Sequence, residues 1–563
     1  MNNISYFYFI YKLISMKFKD SNSENLELWF NDVFIFQQYS DIKSRNSCDV
    51  NNWIIEWVTL PIMSANMNAV SWKRMCETLS RYWWLWILPQ DMSFSCKTKI
   101  LSHIYNAHHE FDTPILVSKD DTVWTALDLI DKKSHWCVCL FDWISVIWYF
   151  KKEDLKQKDR FLTLDQIKAR SVKNCSFSEN IKWKDQWEWK DYRFPIFRQI
   201  LDYEWIWSLP VSCDWYEELY NFLDQNKEDN AFIYQVDIKK EKFQFLWILN
   251  KDDIIRRKFF HWINEQNVRD RRRLQLWIAI WMNQMFDKNI EEEIETYFLS
   301  YWVQVFVLDT AHWYQEKMKE AIIKLKQILN NLEDQLQDRI YQQRNVYWWK
   351  TFHIIAWNIC TYEWAEFLFK AWADWVKVWI WPWAMCTTRM MTWVWRPQFS
   401  SIVDTVKAAD KYDWYVVSDW WIKYTRDFCL ALAAWAKFVM LWTMLSWTKE
   451  SVWEVKYDED WNMYKVNYWM ASSKAVVWRN QQLNQYQIAS RDLFNEWIST
   501  SKIYLREWME TVWKVCEKLI SWLRSSMTYT WSNNLDEYSN NTIIWVQTSS
   551  WYNEWTPHWS IVK

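Results

Sequence analysis

The sequence predicts an α/β protein: a (β/α)8 barrel interrupted after its second strand by an inserted module. Three observations lead there. Eight short, apolar, β-branched runs each end in polar or ligand-type residues, and helical patterns fall between most of them. One gap between runs, about 190 residues long, is too long for a loop and holds an internal repeat. A different parallel α/β sheet is the alternative arrangement of the same runs.

In chain order the runs are Leu60–Ala65, Leu85–Leu88, Leu276–Ile280, Val303–Leu308, His353–Ala356, Val376–Ile380, Tyr415–Ser418 and Phe438–Leu441. The helix expected after the fourth covers Glu316–Leu329, and the one after the seventh covers Asp427–Ala434. In the gap between the second and third runs, Val146-Ile-Trp-Tyr-Phe-Lys-Lys-Glu-Asp-Leu155 matches Phe245-Leu-Trp-Ile-Leu-Asn-Lys-Asp-Asp-Ile254 in character. A Pro-led strand (Pro114–Val117, Pro210–Ser212) and an amphipathic helix (Thr125–Asp131, Glu217–Asp224) precede each copy. The expected division is barrel over 16–111, repeat module over 112–258 and barrel again over 259–563. Residues 1–15 form an extension outside this pattern, and Met16 is the expected true start.

Composition narrows the partners. A net charge of −3 gives no reason to expect nucleic acid, and no apolar run reaches the ~18–20 residues that span a bilayer. The Ser5–Ser15 stretch lacks the basic region and cleavage site of a signal peptide. Eleven scattered cysteines without a CxxC pair fit reduced thiols, hence a cytoplasmic protein.

The chain has no glycine and 53 tryptophans, where an average composition would supply about 40 glycines. Tryptophan stands where geometry asks for glycine: Trp83-Trp84-Leu85-Trp86, Trp379-Ile380-Trp381-Pro382-Trp383, Trp393-Val394-Trp395 and Ser418-Asp419-Trp420-Trp421. A non-glycine residue in the left-handed region costs ~1–2 kcal/mol, so dozens of such sites would exceed a typical stability of about 5–15 kcal/mol. Most of these positions are therefore expected to be glycine in the functional polypeptide, through a reassigned codon or a plain substitution.

The most informative stretch is Val376-Lys-Val-Trp-Ile-Trp-Pro-Trp-Ala-Met-Cys-Thr-Thr-Arg-Met-Met-Thr-Trp-Val-Trp-Arg-Pro-Gln398. A cysteine follows a strand and a loop that asks for several glycines, with hydroxyls at the next two positions. Backbone carbonyls of such a loop can hold a cation while the thiol points into the barrel mouth.

With Phe30-Asn-Asp-Val33, Ser64-Ala-Asn-Met-Asn-Ala-Val70, Asp309-Thr-Ala-His-Trp313, Ala356-Trp-Asn358, Asp419-Trp-Trp421, Met440-Leu-Trp-Thr443, Tyr468-Trp-Met-Ala-Ser472 and Leu523-Arg-Ser-Ser-Met-Thr-Tyr-Thr-Trp531, the chain resembles the IMP dehydrogenase/GMP reductase family over nearly its whole length. The agreement tightens when tryptophan is read as glycine. The repeat module resembles a tandem CBS-domain pair, an adenine-nucleotide sensor; an insertion without ligand is the alternative.

The resemblance implies roles. Cys386 matches the nucleophile that attacks purine C2, a step suited to a thiolate. Thr388 matches a proton-relaying hydroxyl, and Glu496 the acid that protonates a leaving amine. Asp419 matches the carboxylate that takes both ribose hydroxyls. Trp420, Trp421, Trp442 and Thr443 match positions where backbone N–H groups bind the 5′-phosphate, which needs close main-chain approach. Met67, Tyr468, Trp469 and Met470 match residues around base and phosphate. Asp309, Thr310 and Asn358 match the neighbourhood of the nicotinamide nucleotide. The carbonyls of Trp381, Trp383 and Cys386 match a K+ loop.

The family divides into a dehydrogenase, which makes XMP from IMP, NAD and water, and a reductase, which makes IMP and ammonia from GMP and NADPH. The segment Asn495-Glu-Trp-Ile-Ser-Thr-Ser-Lys-Ile-Tyr504 holds Glu496 but no closely following arginine to activate water. The expected protein is a CBS-bearing GMP reductase, a homotetramer or homo-octamer that binds GMP and IMP and is regulated by purine nucleotide at the module. IMP dehydrogenase is the alternative, and a purine-sensing barrel without turnover the second.

Overall fold

The computed structural model describes residues 16–19, 26–52, 60–82, 84–107, 112–133, 135–142, 145–171, 197–199, 220–221, 223–225, 227, 229–237, 242–259, 276–310, 314–340, 352–379, 393–419, 422–452, 455–460, 462–468, 500–505 and 510–554. Seven strands form one parallel sheet: β1 (Ile62–Ser64), β2 (Trp277–Trp281), β3 (Val305–Asp309), β4 (His353–Ile359), β5 (Trp375–Val378), β6 (Tyr415–Asp419) and β7 (Phe438–Leu441). Their order is β2-β3-β4-β5-β6-β7-β1. The eighth run, Leu85–Leu88, lies between the two edge strands, with Leu85 bridged to Met63 and Leu88 to Ile278, both in parallel. The sheet thus curls in the manner of a TIM-like barrel. Its strands are nearly continuous apolar runs because both faces are covered.

Helices return the chain between strands. Those used below are α1 (Lys73–Arg81), α2 (Phe94–Tyr105), α3 (Glu316–Ile340), α4 (Tyr362–Lys370), α5 (Gln398–Tyr412), α6 (Thr425–Ala433) and α7 (Val512–Tyr529). α3 runs eleven residues past the expected Leu329, because Leu332 still packs into the core and no helix breaker intervenes. Side-chain oxygens of Ser93, Thr361 and Thr511 cap the starts of α2, α4 and α7.

Helix ends show where tryptophan takes a glycine-like conformation. Among the described residues, eight non-glycine residues have positive φ, and six are tryptophans: Trp136, Trp302, Trp372, Trp393, Trp435 and Trp531. Trp372, Trp435 and Trp531 each follow the cap of a helix. Trp372 N–H donates to Phe369 O at 3.0 Å and Ala373 N–H to Leu368 O at 3.1 Å; the same double bond recurs at Trp435/Ala436 and Trp531/Ser532. This is the Schellman ending, whose left-handed residue is usually glycine. Other tryptophans are seated in the core. Trp375 stacks on Phe438 at 5.0 Å and meets Trp277 and Tyr415 edge-on, forming an aromatic layer at the N-terminal end of the sheet.

The segment that follows the second run carries its own sheets. Strands Leu116–Val117, Cys137–Asp142, Ser145–Lys151 and Arg170–Ser171 form one, and Phe197–Gln199, Asn230–Asp237 and Lys242–Asn250 another. Each contains an antiparallel hairpin with a parallel strand beside it. The described parallel strand of the second sheet is Phe197–Gln199, whereas the expected Pro210–Ser212 lies outside the described residues. Asp112 and Ile248 exchange backbone hydrogen bonds at 2.8 Å, so this segment leaves and returns at one place.

Two buried polar contacts tie it to the barrel. Glu77 and Arg81 of α1 form ion pairs with Lys133 and Asp112, and His103 of α2 joins at 3.0 Å. Burial alone would raise the Glu77 carboxyl, but Arg81, Lys133 and His103 overcome it and hold the group well below its usual range. On the other side Lys132 Nζ donates to Ser451 O at 2.8 Å, and Lys465 Nζ, also buried, donates to the Ser451 hydroxyl at 2.7 Å.

Candidate active site

The C-terminal ends of the strands gather the polar residues. Asp309 closes β3, Lys377 and Val378 close β5, Asp419 closes β6, and Trp442 and Thr443 follow β7 directly. Register brings them side by side: Asp309 pairs with Trp357, Trp357 with Lys377, and Asp419 with Met440. In such a fold this end of the sheet is where loops from different strands converge.

Lys377 is the centre of the cluster. Its ammonium forms an ion pair with Asp419, both side chains being 6% exposed, and stands 3.9 Å from the centroid of the Trp357 ring. A buried charge is tolerable when paired and hydrogen-bonded, so each residue makes the other possible. Asp309 lies partly buried on the far side of Trp357. Burial pushes its carboxyl up to about 6, against the opposing pull of Lys377 and a hydrogen bond from Asn66. Asn66 Nδ2 reaches Asp309 at 3.0 Å and Gln90 at 2.5 Å. The loop carrying Asn66 is held by Ser71, whose hydroxyl meets Ser64 Oγ at 2.7 Å and donates to Ala65 O at 2.6 Å. Met67 is buried within that loop.

Asn358 sits where the β4/β5 register slips by one residue, a bulge between Trp357 and Ile359. Its Oδ1 is buried without a hydrogen-bond partner among the described residues. An orphaned acceptor beside a carboxyl at a strand end fits a donor-rich group such as a carboxamide or ribose hydroxyl. The residues present therefore fit a nicotinamide nucleotide.

The structure brings Met67, Asp309, Thr310, Asn358, Asp419, Trp442 and Thr443 to this end of the sheet. Tyr468 ends a strand, Met463–Tyr468, that pairs with Thr500–Tyr504 outside the barrel sheet. Cys386, Thr388 and Glu496, the phosphate positions Trp420 and Trp421, the loop residues Trp381 and Trp383, and Trp469 and Met470 lie outside the described residues. Asn66, Gln90 and Lys377 were missed by sequence reasoning. Lys377 had a signal: a single lysine inside the otherwise apolar, buried strand Trp375-Val-Lys-Val378. Among the described residues no three His, Cys, Asp or Glu side chains are grouped to hold a metal, and no helix is long and apolar enough to cross a membrane.

Residues 27–558 match the IMP dehydrogenase / GMP reductase domain family. The GMP reductase of Mycobacterium tuberculosis is 28% identical over 542 residues, covering 96% of this chain and 99% of that one. The inosine-5′-monophosphate dehydrogenase of Aquifex aeolicus is 24% identical over 515 residues, covering 91% of each. A solved GMP reductase from Trypanosoma brucei, in complex with guanosine 5′-monophosphate, is similar with a TM-score of 0.57 at 19% identity, over 96% of this chain and all of that one.

Proposed function

Because the chain belongs to the IMP dehydrogenase/GMP reductase family of oxidoreductases, we propose that it is a GMP reductase: GMP, NADPH and two protons give IMP, ammonium and NADP+. The observation that carries this reading is the buried Lys377–Asp419 pair at the end of β5 and β6. It presents a carboxylate suited to two vicinal ribose hydroxyls on the strand next to the one that runs on to Cys386.

Each residue then has a task. Asp419 orients the ribose, and Met67, Tyr468, Trp469 and Met470 surround base and phosphate. Backbone N–H groups at 420, 421, 442 and 443 take the phosphate, most effectively with glycine at the tryptophan positions. Cys386 forms a C–S bond at purine C2, and Glu496 with Thr388 protonates the amine as the C–N bond breaks. NADPH, held near Asp309, Thr310 and Asn358, supplies the hydride when bound. The new C–H bond at C2 then lets the C–S bond break and returns the thiolate. Carbonyls of Trp381, Trp383 and Cys386 hold K+ in this reading. The barrel is a complete (β/α)8 structure and residues 112–258 are a tandem CBS pair that takes a regulatory purine nucleotide, in a homotetramer or homo-octamer. Support for the pair comes from its two hairpin sheets and the Asp112–Ile248 closure.

Relatives named GMP reductase span nearly the whole chain at 28% identity, against 24% for the Aquifex dehydrogenase. No arginine closely follows Glu496 to activate a water. The test runs the protein in parallel with GMP/NADPH and with IMP/NAD. NADPH consumption that depends on GMP is the expected result. NADH production from IMP without it would make the protein a dehydrogenase, and binding without turnover a sensor. Glu496→Gln should slow deamination by ~10²–10⁴, the usual contribution of a general acid, and Cys386→Ala should abolish turnover while GMP still binds.

A further inference from the structure

We propose that Gln398, the first residue of α5, is a positioning residue for the reaction, fastening together the two strand ends that carry the cysteine segment and the ribose carboxylate. The inference rests on the functional reading above. Gln398 is 1% exposed, and its Nε2 donates to Val378 O at 2.9 Å and to Asp419 O at 2.8 Å. Two carbonyl acceptors fix which end of the amide faces the strands.

The placement matters because the backbone ladder stops there. The last paired residues of β5 and β6 are Val378 and Ser418. At that last pair the Gln398 side chain adds a bond to each strand end, one to Val378 O and one to Asp419 O. Val378 ends β5 on the side of the chain that leads to Cys386, and Gln398 opens α5 on the far side of that segment. One planar amide therefore closes the base of that excursion and joins it to the strand bearing Asp419. Arg396 anchors the same return from outside, with Nη1 donating to Cys360 O at 2.7 Å and to Asp404 at 2.7 Å, and Nη2 to Glu27 at 2.8 Å. Arg396 fixes the return to the barrel wall; Gln398 fixes the spacing of the Val378 and Asp419 strand ends.

Gln398→Met keeps length and volume and removes both donors. The expected result is weaker GMP binding by calorimetry together with slower single-turnover formation of the Cys386 adduct, a combined loss of about 10- to 100-fold, as small misplacements of reacting groups produce. Ser401→Ala is the comparison: its hydroxyl donates to Pro397 O at 2.8 Å in the same helical turn, away from both strand ends. It should lower the thermal midpoint and leave GMP affinity and adduct rate unchanged. Should Gln398→Met fail to fold, Gln398→Asn, whose shorter amide cannot span both carbonyls, should show the same defect in smaller degree. A lowered thermal midpoint with native GMP affinity and native adduct rate in the Gln398 variants would overturn the inference. If the native protein binds GMP without turning it over, the functional reading falls and the affinity comparison alone decides the inference. A native protein that binds no purine nucleotide overturns both.

Discussion

Asp309 is a strand-end carboxyl whose protonation falls in the accessible pH range. Its carboxyl is raised from 3.8 to about 6 by burial, so the folded state holds a proton that the unfolded chain has already released. The stability it contributes is fully present below pH 3.8 and is lost as pH rises through about 6. Urea midpoints of the native protein and Asp309→Asn should therefore differ in slope across that window, with the variant flatter; parallel slopes would contradict the shift. Lys377 acts in the opposite sense, as a partner whose removal strands a charge. Lys377→Met should destabilise the protein by about 3–5 kcal/mol, because Asp419 is left buried and uncompensated. Part of that loss should return in Lys377→Met with Asp419→Asn, measured by denaturant unfolding.

Strands and helices were the most readable level. Seven of the runs supply strands of the curled parallel sheet and the eighth bridges its two edges, because a β-branched, apolar stretch bounded by polar residues has few other places to be buried in parallel. Leu85–Leu88 makes only single bridges on each side, and nothing local distinguishes it from its neighbours. Helix ends show why glycine is missed in this chain. Trp372 is 63% exposed and Trp531 50% exposed, each with positive φ at a Schellman ending. Trp372→Gly and Trp531→Gly should each stabilise the protein by about 1 kcal/mol through relief of the left-handed backbone, at Trp531 against the loss of its indole bond to Asp41 and its edge contact with Tyr39. Urea unfolding measures this, and a destabilisation at both sites would remove the backbone argument. Intact mass of protein from its source, well below that calculated from these residues, is the expected companion result.

Across the whole molecule, the 112–258 segment meets the barrel through charges that stay balanced when it is removed. Excision takes away Asp112 and Lys133 but leaves Glu77 and Arg81 paired within α1. A protein lacking about residues 112–258 should therefore fold and retain turnover while losing its response to adenine or guanine nucleotides; a folded barrel without turnover would refute the modular reading. The finer contact is Lys132, which shares the Ser451 carbonyl with Lys465, while the Ser451 hydroxyl donates to Ser446 O and Ser446 N–H to Trp442 O. Lys132→Met should leave basal turnover unchanged and weaken the nucleotide response at least severalfold, read as the shift in half-maximal nucleotide concentration. An unchanged response would place the coupling elsewhere.

By itself the sequence determined the order of strands, the inserted repeat, and the residue types at strand ends, because hydrophobic periodicity and motif spacing are local properties. Asp309, Asn358 and Asp419 were singled out by the resemblance of their motifs to the family's. The sequence did not reveal that Asn66 meets Asp309 across 243 residues, that Lys377 neutralises Asp419, or that Gln398 spans two carbonyls on neighbouring strands. Those contacts depend on strand register and on curling of the sheet, which bring side chains distant in sequence within hydrogen-bond reach only after the barrel core has formed. Burial then sets their energies: the same lysine and carboxylate exposed on a surface would contribute ~0–1 kcal/mol, and only a closed, dry strand end makes their pairing obligatory.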